Sequence, residues 1–169
     1  MRPAIVVAIT VFVPMIAEAA VSARHDRSLR AAGAMEPGGD VYKVMQGAYP
    51  GAFLLILVEG VWRDAHLGSA FWMGAAIFTI AKALKYWAIV TLGERWTFRV
   101  LVPPASTRIV AGPYRWLSHP NYVAVVGELV GAAVMLRAAI AGPVATLGFT
   151  ALMLARIRVE ERALEVQRR

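Results

Sequence analysis

The residues able to do chemistry gather in two stretches of a chain that is otherwise mostly apolar. The first, Gly93 to Tyr122, reads GERWTFRVLVPPASTRIVAGPYRWLSHPNY. It carries Arg95, Arg99, Arg108 and Arg115, the pair Pro103-Pro104 and the turn Gly112-Pro113, and it ends in Ser118-His119-Pro120-Asn121-Tyr122. The second, near the C-terminus, is Arg156-Ile157-Arg158-Val159-Glu160-Glu161-Arg162. Proline suits the first position of a helix, because its missing N–H would be unpaired there anyway. A helix is therefore expected to begin at or just before Pro120, capped by Ser118 or His119. Its free N–H groups and positive dipole end suit an anionic ligand group, and His119 and Tyr122 add donors. Glu160 and Glu161 can accept from an ammonium or from ribose hydroxyls, while Trp96, Tyr114 and Trp116 offer flat surface to a ring. A ligand with a carboxylate, an ammonium, a ribose and an adenine is S-adenosylmethionine. A dinucleotide would use many of the same groups.

The elements that must position these residues are membrane helices. Of the 169 residues, 59% are hydrophobic and 17% charged, where a soluble domain carries about a quarter charged. Apolar runs close to the ~20 residues needed to cross a bilayer recur along the chain. Five spans are expected: Pro3 to Val21, Val41 to Val61 with a kink at Pro50-Gly51, Ser69 to Leu92, Pro120 to Leu136, and Ala138 to Ala155. A short interfacial helix is expected over Arg24 to Ala34. The fold class is thus all-α, a polytopic membrane bundle forming one domain over residues 1–169, with the cofactor site in its C-terminal half. Twelve arginines fall in the segments after the first and third spans and in the C-terminal tail, against three on the other side. The positive-inside rule places the N-terminus outside, and the Gly93–Tyr122 stretch and C-terminus in the cytoplasm. The net charge of +7 lies between apolar runs and has no nucleic-acid pattern. With no cysteine and three scattered histidines, neither disulfides nor a metal site is expected.

The succession Gly112-Pro113-Tyr114-Arg115, His119-Pro120-Asn121-Tyr122, a helical hairpin and then Glu160-Glu161 resembles the isoprenylcysteine carboxyl methyltransferase family. The resemblance is strongest over residues 93–164. It implies a membrane-embedded fold that binds S-adenosylmethionine near the cytoplasmic surface, with Gly112, Tyr114, Arg115, His119, Tyr122 and Glu160 at the cofactor. The stretches GAMEPGGD from Gly33 and TLGERWT from Thr91 resemble a bacterial branch that occurs with type III polyketide synthases. That branch implies O-methylation of long-chain alkylpyrones or related phenolic lipids in the inner membrane, and a polyketide synthase as partner. The substrate would be lipophilic, entering from the bilayer. The family usually has Arg before His-Pro where this chain has Ser118, and Arg115 stands one turn earlier in its place. Three other readings remain open: methylation of a prenylcysteine-type carboxylate, an NADPH-dependent reductase of the membrane sterol-reductase kind, and a non-catalytic membrane partner of a synthase.

The acceptor follows from charge. A phenol must lose a proton during transfer and needs a base, whereas an acidic enol or a carboxylate is already ionised at neutral pH. The cytoplasmic side is rich in arginine and poor in candidate bases. An acidic hydroxyl is therefore expected, its oxyanion held by Arg156 or Arg158, with Glu161 also in the catalytic set. Glu18, Glu59 and Glu128 are intramembrane carboxylates, each either functional or structural. Lys82 and Lys85 either snorkel or line a polar interior.

Overall fold

The computed structural model describes residues 3–39, 41–102 and 109–167, with side-chain surroundings as far as Val159. Pro103, Pro104 and Arg108 lie outside the described residues, as do the side chains of Glu160, Glu161 and Arg162. Among the described residues there are five α-helices: α1 Pro3–Ala31, α2 Tyr42–Trp62, α3 Ser69–Leu92, α4 Pro120–Leu136 and α5 Ala141–Gln167. Single 3₁₀ turns follow α3 at Gly93–Arg95 and precede α4 at Gly112–Arg115.

Helices are what hydrocarbon permits, since every backbone N–H and C=O must find its partner inside the segment. Four are long and apolar enough to cross a membrane, and α4 is the shorter apolar one. Its 17 residues make about 25 Å at 1.5 Å per residue, short of the ~30 Å hydrocarbon layer. Protein surrounds α4: it packs against all four other helices. The α1 helix corrects one expectation. Arg24 to Arg30 end the hydropathy signal but do not break the helix, so a single helix replaces a span followed by an interfacial segment.

Small residues bring α3 and α4 together at backbone distance. A Cβ on Gly74 would stand 2.6 Å from Gly131 O, and one on Gly131 would stand 2.7 Å from Phe78 N. Glu59 of α2 fixes the α4–α5 turn. It accepts from Ile140 N at 3.1 Å and Ala141 N at 2.5 Å, and it pairs with Arg63 at 2.6 Å. Ile140 directly precedes α5 and Ala141 opens it, so Glu59 caps that helix from another chain segment. Its role is structural.

The segments after α1 and α3 meet on one face, as alternating spans require. Met35 and Val102 exchange backbone hydrogen bonds of 3.1 and 3.0 Å. Nearby, Phe98 N donates to Ser22 Oγ at 2.8 Å and His25 Nδ1 donates to the Trp96 carbonyl at 2.8 Å. Residues 96–102 are thereby strapped to the end of α1.

Candidate functional site

Beneath this strap lies a cavity of about 1030 Å³. Its rim is polar: Arg95 of the 3₁₀ turn after α3, Arg99 of the strap, Asp26 of α1, Tyr114, Ser118 and His119 before α4, Asn121 and Tyr122 in its first turn, and Arg156 of α5. Its deeper wall is apolar, made by Met15, Ile16 and Ala19 of α1, Met45 of α2, Val125 of α4, and Phe149 and Met153 of α5. The C-terminal half supplies much of the lining, and α1 and α2 complete it.

The local sequence explains the rim. Pro120 opens α4 at its first position, as expected, and His119 occupies the N-cap with no side-chain cap hydrogen bond. The Tyr122 and Val123 amides donate to the His119 carbonyl at 3.1 and 3.3 Å, so this dipole end is closed by backbone rather than by a side-chain cap. The His119 and Tyr122 rings stack with centroids 5.4 Å apart. Gly112 adopts φ +52°, and its missing side chain lets the turn press on Thr91 and Trp87 of α3. Gly112 is absent from the cavity lining but orients Tyr114, which is part of it. Arg115 is exposed, its guanidinium 5.7 Å from the ring of its neighbour Trp116. On α5, Arg156 is buried and lines the cavity, whereas Arg158 is exposed.

Two electron-rich atoms on the rim lack donors. Asn121 Oδ1 and Asp26 Oδ1 are buried and have no hydrogen-bond partner among the described residues. The other Asp26 oxygen stands 3.4 Å from Arg99 Nε. Arg99 also reaches Glu36 at 2.9 Å and lies 4.5 Å over the Tyr42 ring. Glu36 in turn binds Arg30. That bond to Arg30, and then the one to Arg99, hold the Glu36 carboxyl below its ordinary value of 4.5. Neither Asp26 nor Asn121 was singled out from the sequence as a ligand group. A lone Asp in a basic helix end carries no signal for it.

Beside the apolar wall, and reaching the cavity through Tyr49 and Lys85, is a cluster that the sequence showed only as separate charges. Glu18 of α1 pairs with Lys82 at 2.8 Å and Lys85 at 2.6 Å, and Glu128 of α4 pairs with the same lysines at 3.1 and 3.4 Å. Lys82 and Lys85 therefore face the interior. Tyr49 of α2 donates to Glu128.

A bundle of membrane helices closed around a polar-rimmed cavity defines an integral membrane protein with that cavity at its arginine-rich face. The isoprenylcysteine carboxyl methyltransferase (ICMT) family matches the chain over residues 73–166, from the second turn of α3 to the end of α5. The chain belongs to this family, a family of membrane methyltransferases whose members use S-adenosylmethionine. The uncharacterized protein YpbQ of Bacillus subtilis is 29% identical over 150 residues, covering 88% of this chain and 89% of that protein. An uncharacterized Haemophilus influenzae protein is 25% identical over 145 residues, covering 85% and 84%. Both likenesses are too long to stop at α3, so they reach back into the N-terminal helices. No solved structure matches.

The residues present fit S-adenosylmethionine. Buried acceptors without donors call for an ammonium or amino N–H, which the cofactor has at its amino-acid end and on its adenine. Arg95 and the α4 N-terminus suit its carboxylate. Trp96 and Tyr114 give flat surface to a ring.

Proposed function

We propose that the protein is an S-adenosylmethionine-dependent methyltransferase that O-methylates a hydroxyl on a long-chain lipid, an alkylpyrone being the acceptor type. The observation that carries this reading is the single cavity joining a rim of arginines and unpartnered acceptors to an apolar wall. Its volume is at the upper end of small-molecule sites, enough for a cofactor and a lipid head together. Bound there, S-adenosylmethionine supplies an electrophilic methyl group. Asp26 and Asn121 accept from its N–H groups, and His119, Tyr122 and the first turn of α4 hold its carboxylate. Arg156 faces the acceptor oxygen and stabilises the negative charge that develops on it. The strap excludes water, and the walls hold acceptor and donor in line, which supplies much of the acceleration.

The acceptor tail lies along Met15, Ile16 and Ala19, on the lipid side of α1. The arginine excess makes this the cytoplasmic face of the bacterial inner membrane, with the N-terminus outside. A polyketide synthase is the kind of partner that would supply such a lipid.

The test is a titration of labelled S-adenosylmethionine into folded protein in detergent, followed by methyl transfer to an alkylpyrone and to a prenylcysteine carboxylate. Binding with transfer to the alkylpyrone is expected. No binding at millimolar ligand refutes the reading, and transfer to the carboxylate alone moves the assignment to the prenylcysteine type.

A further inference from the structure

The buried charges behind the cavity take no part in holding the cofactor, yet the cluster opens onto it. Glu18, Lys82, Lys85 and Glu128 come from three helices and keep between 1% and 12% of their side-chain exposure. Two carboxylates against two ammonium groups balance, as buried ions require. Tyr49 closes the cluster on the cavity side, and among these five residues Tyr49 and Lys85 line the cavity. The Tyr49 hydroxyl donates to Glu128 Oε2 and accepts from Lys85 Nζ at 3.3 Å. A phenol has one proton to give and two lone pairs. With the proton and one lone pair used inside the cluster, a lone pair remains, and a lone pair recognises a ligand O–H.

Depth puts that lone pair in the apolar half of the cavity, where the methyltransferase reading has the lipid acceptor enter. Tyr49 stands two helical turns below Tyr42, about 10 Å along α2. It is packed at 5.1 Å against Phe149 in the apolar half of the cavity. A hydroxyl lipid that comes through hydrocarbon comes with its proton on, because unpaired charge is very costly there. The proton must then be taken inside the site.

We propose that Tyr49 takes it. As the acceptor O–H bond breaks, the proton bonds to Tyr49 Oη while the Tyr49 proton passes to Glu128 Oε2. The electron pair left on the acceptor oxygen forms the bond to the methyl carbon, and the pair of the breaking carbon–sulfur bond stays on sulfur. Glu128 ends as a carboxylic acid, and the site keeps its total charge because the sulfonium charge is replaced by this proton. Lys85 steadies Tyr49 and, with Lys82, faces Glu128; Lys82 also lies 5.6 Å over the Tyr86 ring, and both lysines pair with Glu18 on their other side. Tyr49 is the catalytic residue, and Glu128 acts through it. This inference rests on the methyltransferase reading and widens its acceptors from acids already ionised to un-ionised hydroxyls, phenols included.

The test uses the full-length protein in detergent with Tyr49→Phe, which removes one oxygen and leaves the ion pairs in place. The probes are an alkylpyrone and an alkylphenol of equal chain length, and the O-methylated alkylpyrone, which has no proton to give. The expected result is a kcat lower by about 10²–10⁴-fold on both hydroxyl lipids, the range of a positioned acid–base group. KM and affinity for the O-methylated lipid stay near wild type. Without methyl donor, the ultraviolet spectrum of bound alkylpyrone is that of the ionised form in wild type and the neutral form in Tyr49→Phe and Glu128→Gln. Unchanged kcat or an unchanged spectrum in Tyr49→Phe overturns the proposal. Loss of affinity for the O-methylated lipid also overturns it, since Tyr49 would then be a packing group. Wild-type protein that binds no S-adenosylmethionine and methylates neither lipid refutes the methyltransferase reading itself.

Discussion

Replacing Glu18 by Gln tests whether the buried cluster holds α1 to the bundle through charge balance. Glu18 is 4% exposed and contacts both lysines, at 2.8 and 2.6 Å. Gln keeps the shape but leaves two ammonium groups facing Glu128 alone. Breaking a buried pair by removing one partner costs about 3–5 kcal/mol, mostly the penalty of the charge left behind. That is roughly two to three and a half decades in the folded-to-unfolded ratio. Lys82 is the more solvated lysine, with 12% of its side chain exposed. The double variant Glu18→Gln, Lys82→Met restores neutrality, leaving Lys85 with Glu128, and should recover at least half of the loss. The assay is reversible unfolding in mixed micelles followed by circular dichroism, with all four members of the double-mutant cycle. A single-variant cost below about 1 kcal/mol would place it in the range of exposed pairs and refute the charge-balance argument. So would a double variant no more stable than the sum of the two singles.

Three further outcomes are expected. Arg156→Leu lowers methyl transfer at least tenfold, while Arg158→Leu changes it little, because Arg156 lines the cavity and Arg158 is exposed; transfer from labelled S-adenosylmethionine measures both. His119→Ala and Tyr122→Phe weaken cofactor affinity more than they reduce folded yield, and calorimetric titration showing wild-type affinity would remove these residues from the site. Glu36 has a depressed folded-state pKa, so its contribution is present above the ordinary 4.5 and is lost as pH falls below it. Acid should therefore loosen the strap, read as a change in Trp96 fluorescence. Glu36→Gln should remove that transition and weaken the strap at neutral pH.

Much of the scaffold is legible in the sequence because hydrocarbon imposes simple rules. Ser69–Leu92 and Pro120–Leu136 are helices over the residues expected, since apolar length, glycine turns and a proline at the first helical position are all local signals. The α1 boundary was not legible, because arginines stop a hydropathy run without stopping a helix. Family membership was legible too, through Gly-Pro-Tyr-Arg and His-Pro-Asn-Tyr, whose residues sit close together in the chain.

Which side chains face one another was decided by the tertiary structure. Arg156 and Arg158 read alike in sequence, but two residues at 3.6 per turn point to nearly opposite sides of a helix; the packing of α5 selects Arg156 for the cavity. Glu59 is a lone intramembrane acid in sequence and a cap for α5 in the fold. Glu18 meets Lys82 across 64 positions, and Tyr49 meets Glu128 across 79. Helical periodicity tells which residues share a face of one helix. It carries no information on which faces of separate helices meet, because burial and charge pairing between them are settled only when the bundle closes.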